Sequence, residues 1–496
     1  MLVSSLLRRR PTGKRRLKAG RPDCVKGMRM RTSNWSFRLL GLVFVLMLVM
    51  SACSDDDDND ASDVNTGDTT SETTTADEAA DEPADGASTT AAEMDDQASV
   101  DDCTPTQPPT PTEDGGDGVL KIGTLLPETG DLAFLGPPEF AGTELAVQEI
   151  NDAGGVLGAD VEITQGDSGD TNTEIAKTTT TKELADGVDV IVGAASSGVS
   201  FTVIDQITSA NVIQISPANT SPDFTCYDDN GMYFRTAPSD VLQGRVLADA
   251  LIEEGAESVF IIARQDPYGE GLQRYTKEAL EESGVDVETS LYDTNASEFA
   301  AEVDEMSSFN ADAYVVVGFA ESDQILKEMI TKGIGPDAKI VYGTDGNIGN
   351  ALGKNFPGGE LKGMKGTLPS PELTDEFRNR MLEVDSELTD FTYGPESYDA
   401  VIITALAAEV AESDDPVAIA NELNGVTRDG EKCTNFADCV ALIKDGKDID
   451  YDGAGGPYTF GPAGEPTEAS FAIQEYGDDS QIDESLTVYR FAKIAG

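Results

Sequence analysis

The sequence predicts an α/β fold made of parallel sheets with helices on both faces. Short runs of aliphatic and β-branched residues recur between Val119 and Tyr342, and stretches with apolar residues at helical spacing separate them. The length, 496 residues, leaves room for two or three domains once polar segments are set aside.

Residues 119–126 read as a buried strand, and residues 139–151, with Phe140, Leu145, Ala146 and Ile150 along one side, as the helix that follows it. Further strands are predicted at 161–164, 188–192, 212–215, 259–262, 314–317 and 340–342, with helices near 171–186, 199–210, 240–254, 270–283, 298–308 and 322–332. In such sheets ligands lie at the carboxyl ends of strands. Three loops at those ends, 127–136, 193–198 and 216–222, are rich in Gly, Ser, Thr and Ala just before a helix begins. They offer N–H groups and hydroxyls to an anion such as a carboxylate, although each loop taken singly is equally an ordinary helix cap or turn.

The charge balance narrows the function. Thirty-four basic against 92 acidic residues give a formal charge of -58, which repels phosphate backbones and disfavours nucleic-acid binding. There is no histidine, which removes the commonest general base, zinc ligand and triad partner together. With no nucleophile–base constellation no enzyme is expected, and no cofactor or metal is implied. The best support for a catalytic rival is a carboxylate pair such as Asp266 near Asp345.

The N-terminal region reads as an export signal over residues 1–52. A basic stretch from Arg8 to Arg31 precedes the apolar run 39–50, and Ser51-Ala52-Cys53 follows with Asp55-Asp56-Asp57-Asp58 directly behind it. Met50-Ser51-Ala52-Cys53 resembles a bacterial lipobox, with Met50 where Leu is usual, and implies lipidation of Cys53 and anchoring to the outer face of the cell membrane. Residues 53–118 are Asp, Glu, Thr, Ser, Ala and Pro with almost no large apolar side chains, and are expected to be a disordered acidic tether. Four further cysteines remain outside the signal and the lipobox. Cys433 and Cys439, close in sequence, are expected to pair, which leaves Cys103 with Cys226. A metal site is a poor alternative without His or a Cys-x-x-Cys spacing.

Several segments, read together, look like one family. They are Ile122-Gly123-Thr124-Leu125-Leu126-Pro127-Glu128-Thr129-Gly130, then residues 146–158 ending in Asn151-Asp152-Ala153-Gly154-Gly155-Val156-Leu157-Gly158, then Ile215-Ser216-Pro217-Ala218-Asn219-Thr220-Ser221-Pro222, Phe234-Arg235-Thr236-Ala237-Pro238-Ser239-Asp240 and Tyr268-Gly269-Glu270-Gly271. In this order they resemble the leucine/isoleucine/valine-binding family of type I periplasmic solute-binding proteins. The resemblance runs from about Val119 to near the C-terminus. It implies two lobes joined by three crossovers, closing on a ligand that is passed to an ABC-type permease. Lobe one would be 119–237 plus 369–455, and lobe two 238–368 plus 456–496. A monomer is expected.

The resemblance also implies the site. Ser197, with Ser196, and Thr220, with its neighbour Asn219, would hold the α-carboxylate of an amino-acid-like ligand, and neutral dipoles suit a desolvated carboxylate. Asp345, in Tyr342-Gly343-Thr344-Asp345-Gly346, would hold the ammonium, although Asp-Gly is also a common turn. Tyr268 and Phe319 would close over the ligand with Leu135. Leu135 and Phe319 stand where tyrosines are usual in branched-chain members, which favours an apolar or differently shaped ligand. A receptor of the same fold for amides, urea or aromatic acids, or a sensory receptor feeding a separate partner, is the alternative.

Overall fold

The computed structural model describes residues 104–111 and 116–494. The expected signal over 1–52, the lipidation site Cys53 and Cys103 lie outside the described residues. The strands are β1 (Lys121–Leu125), β2 (Glu162–Thr164), β3 (Val190–Gly193), β4 (Ile213–Ser216), β5 (Tyr233–Arg235), β6 (Ser258–Arg264), β7 (Asp286–Tyr292), β8 (Ala313–Val317), β9 (Ile340–Gly343), β10 (Lys365–Pro369), β11 (Glu431–Cys433), β12 (Ile449–Gly453), β13 (Gly456–Pro457), β14 (Glu468–Glu475) and β15 (Val488–Lys493). The helices are α1 (Gly136–Asp152), α2 (Ile175–Asp186), α3 (Ser197–Thr208), α4 (Asp240–Glu253), α5 (Pro267–Glu282), α6 (Ala300–Phe309), α7 (Ser322–Lys332), α8 (Asn350–Gly353), α9 (Asp375–Val384), α10 (Gly394–Ala411), α11 (Pro416–Glu422) and α12 (Phe436–Lys444).

Two sheets make two lobes. The first has the order β2-β1-β3-β4-β5, and the second β15-β14-β10-β9-β8-β6-β7. All pairings of the first are parallel. In the second, β14 joins β10 and β15 joins β14 antiparallel, so this lobe is mainly parallel with a reversed edge. Reversal there needs no crossover α-helix, and β14 and β15 are joined by a loop with one short 3-10 turn, Glu484–Leu486. The chain passes between sheets after β5, after β10 and before β14. The small β11-β12-β13 sheet, with Tyr458 and Phe460, packs in the core of lobe one. The last passage therefore falls between Phe460 and β14, a few residues later than position 455.

Lobe one is organised by α10, buried along almost its whole length: residues 400–408 are apolar or small apart from Thr404, and the buried Asp399 is bonded to Tyr451 and Tyr458. It packs on α1 so closely that a Cβ at Gly142 would lie 2.2 Å from the carbonyl oxygen of Gly394. Cys433 and Cys439 form the expected disulfide, with Cα atoms 5.4 Å apart. Cys226 is disulfide-bonded, and its expected partner Cys103 falls outside the described residues.

The end of the expected tether is held against lobe one. Thr106 donates to the Asp229 carboxylate and accepts from the Gly231 N–H at 3.0 Å, while Asn421 donates to the Pro109 carbonyl at 3.1 Å. Asp414 Oδ2 accepts from the N–H groups of Asp117 (2.9 Å), Gly118 (2.6 Å) and Val119 (3.0 Å). A segment too polar to build a core is fixed here by hydrogen bonds to one, a partner set that composition does not reveal.

Candidate ligand-binding site between the lobes

One hydrophobic cluster crosses from lobe to lobe. Leu132, Leu135, Ala195 and Ala218, from the strand-end loops of lobe one, pack with Tyr268, Phe319 and Tyr342 of lobe two and with Tyr393, the residue before α10. Leu135, 2% exposed, precedes α1, whose second and third residues are Pro137 and Pro138; their fixed φ suits a helix start. Tyr268 and Phe319 stack with ring centroids 5.4 Å apart. Behind Phe319 the guanidinium of Arg264 lies 3.5 Å from the ring centroid, donating to Asp266 at 2.6 Å and to Glu321 at 2.8 Å. A desolvated cation over a ring face stiffens the wall of the cleft.

Asp345 is at the centre. It follows β9 at the carboxyl end of the lobe-two sheet, 4% exposed, and accepts hydrogen bonds from Tyr268 Oη (2.8 Å), Gln243 Nε2 (2.7 Å) and Tyr393 Oη (2.7 Å). Burial raises its pKa, and these three donors pull it back toward the charged form. Burial and the neighbouring carboxylate push the hydroxyls of Tyr268 and Tyr393 well above the usual tyrosine range, so both remain donors. Gly346 is required next to it, because a Cβ there would lie 2.6 Å from the Gly318 carbonyl oxygen and 2.8 Å from the Phe319 ring.

Lobe one supplies neutral groups. Ser197 opens α3, and its Oγ accepts from the Ser221 N–H at 3.4 Å, joining the loops after β3 and β4. Thr220 Oγ1 lies 2.9 Å from Asp240 Oδ2, and the Thr220 carbonyl accepts from the Asp240 N–H at 2.8 Å. Two of the expected site residues have partners inside lobe one. Ser196 caps α3, its Oγ accepting from the Val199 N–H at 3.4 Å. Asn219 is committed inside lobe one: its amide donates to the carbonyls of Ala194 (2.9 Å) and Ala195 (2.8 Å), and its Oδ1 accepts from Tyr233 Oη at 3.0 Å. Both residues brace the loops that present Ser197 and Thr220. Asp266, the proposed catalytic partner of Asp345, is bound to Arg264 and caps α5 through the Gly269 N–H at 2.9 Å. The carboxylate whose pKa the Asp345 charge raises is Asp240, one helical turn before Gln243 on α4.

Sequence reasoning missed Asp240, Gln243 and Tyr393. The first two lie one helical turn apart at the start of α4, a spacing that puts both on one face. Tyr393 carried no such signal: it sits at φ 58° before α10, and only the packing of the lobes brings it to Asp345. Next to Phe319 and Gly346 a cavity of about 270 Å³ opens to the outside, walled also by Gly130, Asp131, Phe134 and Leu352.

These features define a two-lobed α/β binding protein whose cleft combines two buried carboxylates, Asp345 and Asp240, with a set of hydroxyls. Residues 119–480 match the family model described as "Periplasmic binding protein", and the chain belongs to that family. It is a solute-binding protein of the leucine/isoleucine/valine-binding type, a family whose members work outside the cytoplasm. No helix among the described residues is long and apolar enough to cross a membrane. The chain is 30% identical over 317 residues to the Leu/Ile/Val-binding protein homolog 1 of Brucella abortus (strain 2308), covering 61% of this chain and 81% of that one. It is 27% identical over 316 residues to the leucine-, isoleucine-, valine-, threonine-, and alanine-binding protein of Pseudomonas aeruginosa, covering 62% and 83%. Two solved structures share the fold. The branched-chain amino acid transporter substrate binding protein LivJ of Streptococcus pneumoniae, in complex with isoleucine, gives a TM-score of 0.63 at 21% identity over 76% of this chain and 100% of that one. A solute binding protein of an ABC transporter from R. palustris, in complex with 4-hydroxybenzoate, gives 0.60 at 17% identity over 73% and 95%.

Proposed function

We propose that this chain captures a small amino-acid-like molecule between its lobes and delivers it to an ABC-type permease, tethered to the membrane through a lipid on Cys53. Asp345 receives the ligand's ammonium. Ser197 and Thr220, with the N–H groups of the loops after β3 and β4, receive its carboxylate, and Leu135, Tyr268 and Phe319 enclose the rest. The observation that carries this reading is the burial of Asp345 among three donors, opposite a wall of neutral dipoles. A charge so placed is costly unless a cation comes to it. The relatives named for leucine, isoleucine and valine agree with it.

A second reading has one specific observation in its favour. The Tyr268–Phe319 stack over Arg264 is a surface that suits an aromatic acid, the ligand class of the R. palustris neighbour. Calorimetric titration of the exported protein with L-leucine and with 4-hydroxybenzoate separates the two. Heat with leucine alone supports the amino-acid reading, and heat with the benzoate alone replaces it by the second.

A further inference from the structure

The two buried carboxylates of the cleft are bonded unequally. Asp345 accepts three hydrogen bonds, whereas Asp240, fully buried, touches one partner, Thr220, and its Oδ1 has none. Like charges in one dry site do not both ionise, and the proton settles on the carboxylate with fewer donors. Two influences favour its charge, its place in the first turn of α4 and Arg235, and both are weaker than burial beside Asp345. Arg235, the cation that acts on it, is committed to Glu465 and to the carbonyls of Asn219 (3.1 Å) and Ser221 (2.8 Å). Tyr268 and Tyr393, which also sense Asp240, are neutral donors turned toward Asp345.

A threonine hydroxyl has one hydrogen to give. An ionised Asp240 takes that hydrogen across the 2.9 Å contact, and Thr220 then shows a ligand carboxylate only lone pairs. A protonated Asp240 reverses the bond: the acid O–H donates to Thr220 Oγ1, and the threonine hydrogen is free for the ligand.

We propose that Asp240 is held as the neutral acid, a positioning residue that donates to Thr220 and turns the threonine hydroxyl toward the ligand's carboxylate, leaving Asp345 as the only charge offered to the ammonium. This deepens the amino-acid reading and rests on it. Burial and the Asp345 charge both raise the Asp240 pKa, in agreement with the geometry. The first turn of α4, directly after the first passage between lobes, then serves both halves of the site. Asp240 sets the hydroxyl of lobe one, and Gln243 donates to the carboxylate of lobe two.

The test is an infrared difference spectrum of the full chain at neutral pH without added ligand, wild type minus Asp240→Asn. The expected result is loss of the band of one protonated carboxyl group. Loss of a carboxylate band in its place overturns the proposal. Should Asp240→Asn not fold, Thr220→Val removes the acceptor of the acid O–H, and the same carboxyl band is expected to shift; an unmoved band again overturns it. Neither spectrum requires a ligand, so a leucine titration without heat counts against the receptor reading while these bands judge Asp240 alone.

Discussion

The two halves of the cleft hold their polar groups in opposite ways. Lobe one presents neutral dipoles whose positions are fixed by bonds between loops: Ser197 to Ser221, and Asn219 to Ala194 and Ala195. Lobe two presents the carboxylate of Asp345, fixed by side chains from three elements, α4, α5 and the residue before α10. Neutral groups in lobe one cost little to desolvate and can be braced locally, whereas a buried carboxylate needs several donors and a counter-ion to be tolerated. Mutations in the two halves should therefore differ in size and in kind.

The largest effect is expected at the charge. Asp345→Asn should weaken binding of an amino acid by roughly 100-fold or more, because an ammonium left unpaired in a dry site costs about 3–5 kcal/mol. Titration calorimetry reads this directly, and a loss below tenfold would remove Asp345 from the ammonium site. Next comes the brace. Asn219→Ala removes the side-chain donor to the Ala195 carbonyl and the acceptor of the Tyr233 hydroxyl, while the Ala194 carbonyl keeps Ser216 Oγ at 2.7 Å, and should lower stability by about 1–3 kcal/mol in chemical denaturation. Thr220→Ala should cost on the order of 1 kcal/mol of ligand affinity with little change in unfolding, the reverse of the Asn219 pattern. If both variants lose stability alone, the division between bracing and ligand-facing groups in lobe one is wrong.

A separate effect, outside the cleft, is one of pH. Glu183 on α2 is buried with neither carboxyl oxygen bonded, and burial pushes its pKa up to about 8; Asp189, also mostly by burial, rises to about 7. Both folded-state values lie above the ordinary values of 4.5 for Glu and 3.8 for Asp, so the folded chain holds more protons between those limits. The stability from these groups is complete below about pH 4 and declines as pH rises through 7 and 8. Melting temperatures should fall from pH 5 to pH 8, and Glu183→Gln should flatten the fall.

Much of this fold was legible from the chain because the buried strands are continuous apolar runs: β1, β3, β4, β6, β8 and β9 all fall on predicted stretches. The strands that escaped lack that signature. β7 is an edge strand of alternating exposure carrying Asp and Glu, and β10 is short and contains Gly366 and Pro369. Leu135, Tyr268 and Phe319 share the cluster that crosses between lobes, Thr220 and Asp345 have partners across it, Ser197 is bonded to Ser221 within lobe one, and Ser196 and Asn219 act as braces there. The difference is one of hydrogen-bond direction, which residue type does not encode. The supporting residues Asp240, Gln243 and Tyr393 were hidden because their partners are distant along the chain, 20 residues for Asp240, 102 for Gln243 and 48 for Tyr393.

The central claim is that the cleft pairs an ammonium with Asp345 and a carboxylate with the hydroxyl wall. It is tested most directly by thermal melting of the exported protein with L-leucine and with 4-methylpentanoate, which keeps the carboxylate and side chain and lacks the ammonium. A ligand that binds only the folded state stabilises it by about 2.7 kcal/mol at a concentration 100 times its Kd. The account predicts a clear rise in melting temperature with leucine, none with 4-methylpentanoate, and loss of the leucine shift in Asp345→Asn. Equal stabilisation by both compounds, unchanged in that variant, would contradict it.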